Sequence, residues 1–115
     1  MNEPDASVRD ALTVLLEGED WSVEHVFDCP ALKKAVGKND VVALISESSL
    51  PDCTASEILE HCSECGLPVI FTGHDLNLQG AVDLIRQGAV DFLDKPFPQS
   101  RLLELLDRLN SRQNK

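Results

Sequence analysis

Two groups of residues in this 115-residue chain have types and spacing that could do chemistry. The first surrounds Glu47. Five apolar residues run unbroken from Val41 to Ile45, followed by Ser46-Glu47-Ser48-Ser49 and Leu50-Pro51-Asp52. A short apolar run of this kind suits a strand buried on both faces. In an open parallel sheet, ligands and chemistry gather just beyond the carboxyl ends of strands. Glu47 is expected to stand there as a carboxylate available for charge or proton chemistry. Ser46, Ser48 and Ser49 read as turn residues. A serine nucleophile needs a base and oxyanion donors, and no Gly-x-Ser-x-Gly context is present. The second group is Cys62-Ser63-Glu64-Cys65. A redox pair works best at a helix N-terminus, where the dipole favours thiolate. Here the pair closes a helix, just before Gly66 and Pro68, and that end of the dipole disfavours thiolate. A zinc site needs a second ligand pair, which His61 alone does not supply.

The elements that must position these residues follow from periodicity and punctuation. Asp5 or Ser7 caps a helix over 6–17, with Val8, Ala11, Leu12 and Leu15 at helical spacing and an end near Gly18. Residues 21–27 read as a strand, with Trp21, Val23 and His25 on one face. His25 is expected to be a surface or satisfied histidine rather than a ligand. Pro30 suits a first helical turn and Gly37 a residue just past the end, giving a short helix over 30–36. The strand over 41–46 follows. Thr54-Ala55-Ser56-Glu57 has capping-box spacing and opens a helix over 55–65. Residues 68–73 form a strand, and Asn77 caps a helix over 78–87. Gly80 weakens that helix by ~1 kcal/mol relative to alanine, so it is expected to be the most mobile one. A strand over 90–93 and a helix over 99–112 complete the order αβαβαβαβα. Alternating strands and helices with short links predict one α/β domain over 1–115, a parallel sheet with helices on both faces. Residues 1–4, Met-Asn-Glu-Pro, are polar and are not expected to make a buried strand.

Composition narrows the function. The chain is 43% hydrophobic and 26% charged, as in soluble globular domains. Its net charge of −10, with no basic patch, disfavours nucleic-acid binding. No apolar run approaches the ~20 residues of a membrane span, and no basic-then-apolar leader opens the chain. The four cysteines, Cys29, Cys53, Cys62 and Cys65, are therefore expected to be reduced thiols of a cytoplasmic protein.

Four stretches now point to a family: Ser7–Leu12, Leu50-Pro51-Asp52, Val69–His74, and Gly88-Ala89-Val90-Asp91-Phe92-Leu93-Asp94-Lys95-Pro96-Phe97. They resemble bacterial response-regulator receiver domains, with the flavour of nitrogen-fixation-type regulators, over nearly the whole chain. The Gly88–Phe97 block is the most specific. The resemblance implies a flavodoxin-like open parallel sheet of five strands in the order 2-1-3-4-5. It also implies phosphoryl transfer from a histidine kinase to an aspartate after the third strand, with magnesium held by an acidic pair after the first. By position, the implied switch residues are Thr72, Phe92 and Lys95, and Lys95-Pro96 matches the family's cis peptide bond.

Three departures stand out. The phosphoacceptor position is Glu47. The acidic pair falls on Glu3 and Pro4, and proline has no side-chain oxygen for a metal. The first strand of the family pattern is missing ahead of Glu3, so four strands are expected instead of five. The two neighbours of a missing strand would lie ~9.6 Å apart. Either they close together, a partner donates a strand, or the strand is encoded upstream. The truncation is taken as real for this chain and predicts reduced stability or oligomerisation. Glutamate carries its carboxylate one methylene further out, and a misplacement of about 1 Å can lose ~100-fold in rate. With the metal cage also impaired, phosphorylation of Glu47 and magnesium binding are expected to be lost. Glu47 is then expected to pair with Lys95. The chain reads as a non-enzymatic interaction module of two-component signalling. The partners implied are a histidine kinase, regulator or output domain, or a second copy in a homodimer. They would dock on the 78–87, 90–93 and 99–112 face. The alternatives are a working phospho-accepting receiver, using a nearby residue such as Ser46 or Asp52, and a thiol or metal protein through Cys62 and Cys65.

Overall fold

The helix starts sit where the capping residues put them. In the computed structural model, which describes residues 1–37, 41–48, 52, 54–73, 78–95 and 97–113, α1 spans Ala6–Gly18. Its N-cap Asp5 accepts from the Ser7 and Val8 amides. Helix α2 (Cys29–Val36) is capped by Asp28, which accepts from Ala31 N–H, and carries Pro30 in its first turn. Helix α3 (Ala55–Glu64) has the expected Thr54 N-cap: Thr54 Oγ1 accepts from Glu57 N–H, and its hydroxyl donates to the Glu57 carboxylate. Helices α4 (Leu78–Arg86) and α5 (Gln99–Gln113) follow. The expected Asn77 cap lies outside the described residues. Gly66 and Gly88 have φ of +69° and +118°, conformations that disfavour a side chain. Gly37 does not use that freedom, since its φ is −75°.

Three strands pair in parallel in the order β1-β2-β3: β1 (Leu44–Glu47), β2 (Val69–Gly73) and β3 (Asp91–Asp94). The register places Glu47 opposite Thr72 and Thr72 opposite Leu93. Alternation along the strands divides the core in two. Leu44, Val69 and Phe71 pack with Leu32, Ile58, Leu59 and Cys62 of α2 and α3. Ile45, Ile70 and Leu93 pack with Leu12 and Leu16 of α1 and Leu102, Leu105, Leu106 and Leu109 of α5. Helices thus cover both faces, which is why the strands read as unbroken apolar runs.

Two expectations change at the amino end of the sheet. Residues 21–27 run without strand pairing in the regular sense, so the expected fourth strand is not among the described ones. Its main-chain partner is short: Val26 N–H donates to Met1 O at 3.0 Å, and the Met1 amino group donates to Glu24 O at 2.7 Å. Residues 1–4 are the second correction. Asn2 and Glu3 are buried, and Asn2 forms a parallel bridge with Ser46. Polar side chains misled the sequence reading here, because the bonds that place Asn2 are made by its backbone. Residues 24–26 and β1 do not close on one another; Met1 and Asn2 stand between them.

Leu102 is fully buried between α5 and the sheet. Leu102→Ala is expected to lower stability by about 2–5 kcal/mol in chemical denaturation, through lost transfer energy and a residual cavity.

Candidate functional site

At the carboxyl edge of the sheet, three charged side chains from distant parts of the sequence meet. Glu3 leaves the Asn2 bridge, Glu47 ends β1, and Lys95 follows β3. The backbone aims each of them. Asn2 N–H donates to Ile45 O, and Glu47 N–H donates to Asn2 O, both at 2.9 Å. Lys95 N–H donates to Gly73 O at 2.8 Å, which ties the residue to the end of β2. Lys95 Nζ lies 2.6 Å from Glu47 Oε2 and also pairs with Glu3 Oε1. The side chains are 5%, 9% and 3% exposed for Lys95, Glu47 and Glu3. The second Glu3 oxygen accepts from Asp5 N–H at 3.1 Å, and Arg9 Nη1 donates to Glu3 O at 3.2 Å.

Burial alone would lower the Lys95 pKa. Hydrogen bonds to Glu3 and Glu47, with their charges, outweigh it and hold the ammonium above its ordinary 10.5. Two buried carboxylates therefore share one buried cation, leaving the group one negative charge in excess.

The sequence reading paired Lys95 with Glu47 and did not foresee Glu3 as its second partner. The resemblance had put Glu3 in the acidic pair; the structure turns that acid onto the lysine. Pro4, the other member, is exposed at the surface. A divalent cation does not fit this donor set: one of the two acid positions is proline, and the remaining carboxylates already face an ammonium. Among the described residues, no group of three or more His, Cys, Asp or Glu could hold a metal ion. Thr72 is buried beside Glu47 in the strand register, and Phe92 is half-buried against the core on the α2–α3 face. Pro96 lies outside the described residues.

The other candidates separate from this site. Ser46 is fully buried and donates to Glu47 O. Asp52 accepts from Cys29 N–H at 2.6 Å at the start of α2, a capping role no local spacing announced. Cys62 is buried on the inner side of α3, while Cys65 caps its end in an exposed position. Burial, with a smaller contribution from Cys65, pushes the Cys62 thiol up to about 11, which disfavours the thiolate that redox or metal chemistry needs. His25 is satisfied on one side by Thr13 Oγ1 at 3.2 Å.

This geometry can be set beside known proteins. Residues 3–107 match the model of the response regulator receiver domain. The chain is similar to the transcriptional regulatory protein FixJ of Bradyrhizobium diazoefficiens, 32% identical over 109 residues. That match covers 91% of this chain and 52% of FixJ. It is 36% identical over 110 residues to the C4-dicarboxylate transport transcriptional regulatory protein DctD of Pseudomonas aeruginosa, over 92% of this chain and 23% of DctD. The chain thus spans about half the length, or less, of these relatives. The receiver domain of the Francisella response regulator 1452 shares the fold, with a TM-score of 0.86 at 17% identity over 97% of this chain and 94% of that one. The alternating architecture, the helices on both sheet faces and the family match over 3–107 together make this chain a member of the response-regulator receiver domain family.

Proposed function

We propose that this receiver works in two-component signalling as an interaction module that is not switched by phosphorylation. Receiver domains act with other signalling proteins, and this chain is read the same way. One observation carries the proposal: Lys95, the lysine that the family pattern assigns to the phosphoryl group, is already buried between Glu3 and Glu47.

The consequences are electrostatic. An incoming phosphoryl group brings about −1.5 to −2 of charge to a site that already holds excess negative charge. With Glu in place of Asp and no fitting cage for magnesium, neither in-line positioning nor charge neutralisation is supplied. Glu47 thus acts as a structural ion-pair partner that fixes the β1 and β3 ends. Thr72 is buried beside Glu47 in the strand register, and Phe92 is half-buried against the core. Magnesium is not used, and the chain is not an enzyme. The partner is a histidine kinase, a regulator, an output domain or a second copy, met on the α4–β3–α5 side. No helix among the described residues is long and apolar enough to cross a membrane. A cytoplasmic location and the absence of nucleic-acid contact are part of this reading.

Incubation with acetyl phosphate or phosphoramidate and magnesium, followed by intact-mass measurement, tests it. The mass is expected to stay unchanged. A stable, magnesium-dependent phosphorylated species on Glu47, Ser46 or Asp52 would establish the working receiver instead.

The ion group itself gives two further expectations. Lys95→Met strands two buried carboxylates and is expected to cost about 3–5 kcal/mol. Glu47→Gln, which leaves one carboxylate for one ammonium, is expected to cost much less. The double variant should recover part of the Lys95→Met loss, which a double-mutant cycle measures. Because the folded-state pKa of Lys95 is raised, its contribution is fully present below 10.5 and is lost as pH rises through the raised value. Thermal midpoints of the unsubstituted protein should fall over that alkaline range more steeply than those of Lys95→Met.

A further inference from the structure

Phe27 is 68% exposed, a large apolar ring left at the surface just ahead of α2. Its face is nevertheless in use. The Arg9 guanidinium of α1 lies over it, with Cζ 5.0 Å from the ring centroid, and the His25 ring stacks beside it, centroids 6.5 Å and planes 27° apart. An aromatic quadrupole attracts a cation without the ring being buried. For the helix itself, Arg9 is badly placed. It stands at the fourth position of α1, near the end where the dipole disfavours a positive charge.

Hydrogen bonds brace the pair. Thr13 Oγ1 donates to Arg9 O at 2.7 Å. A hydroxyl has one proton, so in its 3.2 Å contact with His25 the same oxygen accepts and the ring Nε2 donates. Arg9, Thr13, His25 and Phe27 therefore close a circuit, from the Arg9 main chain round to its guanidinium. The circuit restrains a long side chain that otherwise keeps large rotamer freedom.

From this platform, Arg9 Nη1 donates to Glu3 O at 3.2 Å. That carbonyl belongs to the residue whose carboxylate pairs with Lys95. Two effects follow. The bond fixes the main chain from which the Glu3 side chain departs. It also brings a balancing charge: Glu3, Glu47 and Lys95 together carry one negative charge in excess, and an arginine, which stays protonated, stands beside Glu3.

We propose that Arg9 is the positioning residue of the charged site and that the Phe27 ring is its surface platform: the ring holds the guanidinium, and the guanidinium holds Glu3 against Lys95. A change at an exposed ring is thereby passed to a buried ion group by way of Arg9. The inference rests on the reading above that the Glu3–Lys95–Glu47 group is the resident state of this site.

Hydrogen exchange tests it. The Asp5 amide donates to Glu3 Oε2 at 3.1 Å, so its exchange reports whether the carboxylate is in place, and the Ile70 amide within β2 reports the fold as a whole. Relative to Ile70, Asp5 is expected to exchange about 10-fold faster in Arg9→Gln, which loses both the cation and the bond to Glu3. In Phe27→Leu, which keeps an apolar side chain without the π face, it is expected to exchange about 3-fold faster. Phe27→Trp offers a stronger π face and is expected to leave the rate unchanged or slower. Exchange of the Lys95 ammonium protons, followed by NMR, should rank the variants in the same order. Unchanged or slower Asp5 exchange in Arg9→Gln, the behaviour of a surface arginine that merely opposes the helix dipole, would overturn the proposal. So would equal rates in Phe27→Leu and Phe27→Trp. No phosphoryl donor is present in these measurements, so a phosphorylated Glu47 in the mass experiment would remove the proposed function without altering these rates.

Discussion

Lys95 is the cation on which the carboxyl edge of the sheet depends. Moving an ion out of water costs several kcal/mol, and three ions are buried here within contact of one another. Their arrangement is tolerable only because the lysine faces both acids at once. That requires the three chain segments to arrive together. Glu47 comes from β1, Lys95 from the end of β3, and Glu3 from the short bridge of Asn2 to Ser46. A one-residue slip of β1 would turn Glu47 to the other face of the sheet and present Ser46 or Ser48 in its place. The ion group and the sheet register therefore enforce one another. The two-sided core does the same from beneath, since Leu44 and Ile45 must each meet a different helix layer.

The parts of the structure that sequence made legible were those decided locally. Asp5 caps α1, and Thr54 with Glu57 caps α3, because both motifs act within four residues. The apolar runs at 44–45 and 69–71 became strands because both of their faces are covered. Glu47 and Lys95 could be matched because each sits at the end of such a run. The amino end was not legible for a physical reason. Whether residues 21–27 form a strand depends on having a neighbour to bond with, and from one side Met1 bonds to Glu24 and Val26. Asn2 and Glu3 were misjudged as loop because hydropathy describes side chains. Asn2 is held by its backbone, and the polarity of Glu3 is satisfied by a lysine far along the chain.

The core cysteine shows the same limit from another direction. The spacing of Cys62 and Cys65 invites a chemical reading, yet helical geometry sends the two thiols to different environments. Residues three apart share a helix face only where the helix continues, and α3 stops at Glu64, so Cys65 becomes an exposed C-cap. Cys62 is left as a small buried hydrophobe among Ile58 and Leu59. A two-residue spacer is thus weak grounds for a thiol site unless the end of the helix is known.

The charged site is tied through the backbone to the amino end of the chain. Met1 fixes the flank at Glu24 and Val26, Asn2 fixes the flank at Ile45 and Glu47, and the next residue, Glu3, delivers its carboxylate to Lys95. Order at one end of this path is passed along the backbone to the other, because each residue is bonded alternately to opposite neighbours. Glu3 is thus held by the bonds of the two residues before it. The persistence of the ion group is then a property of the backbone bonds at Met1 and Asn2 as much as of the three charges.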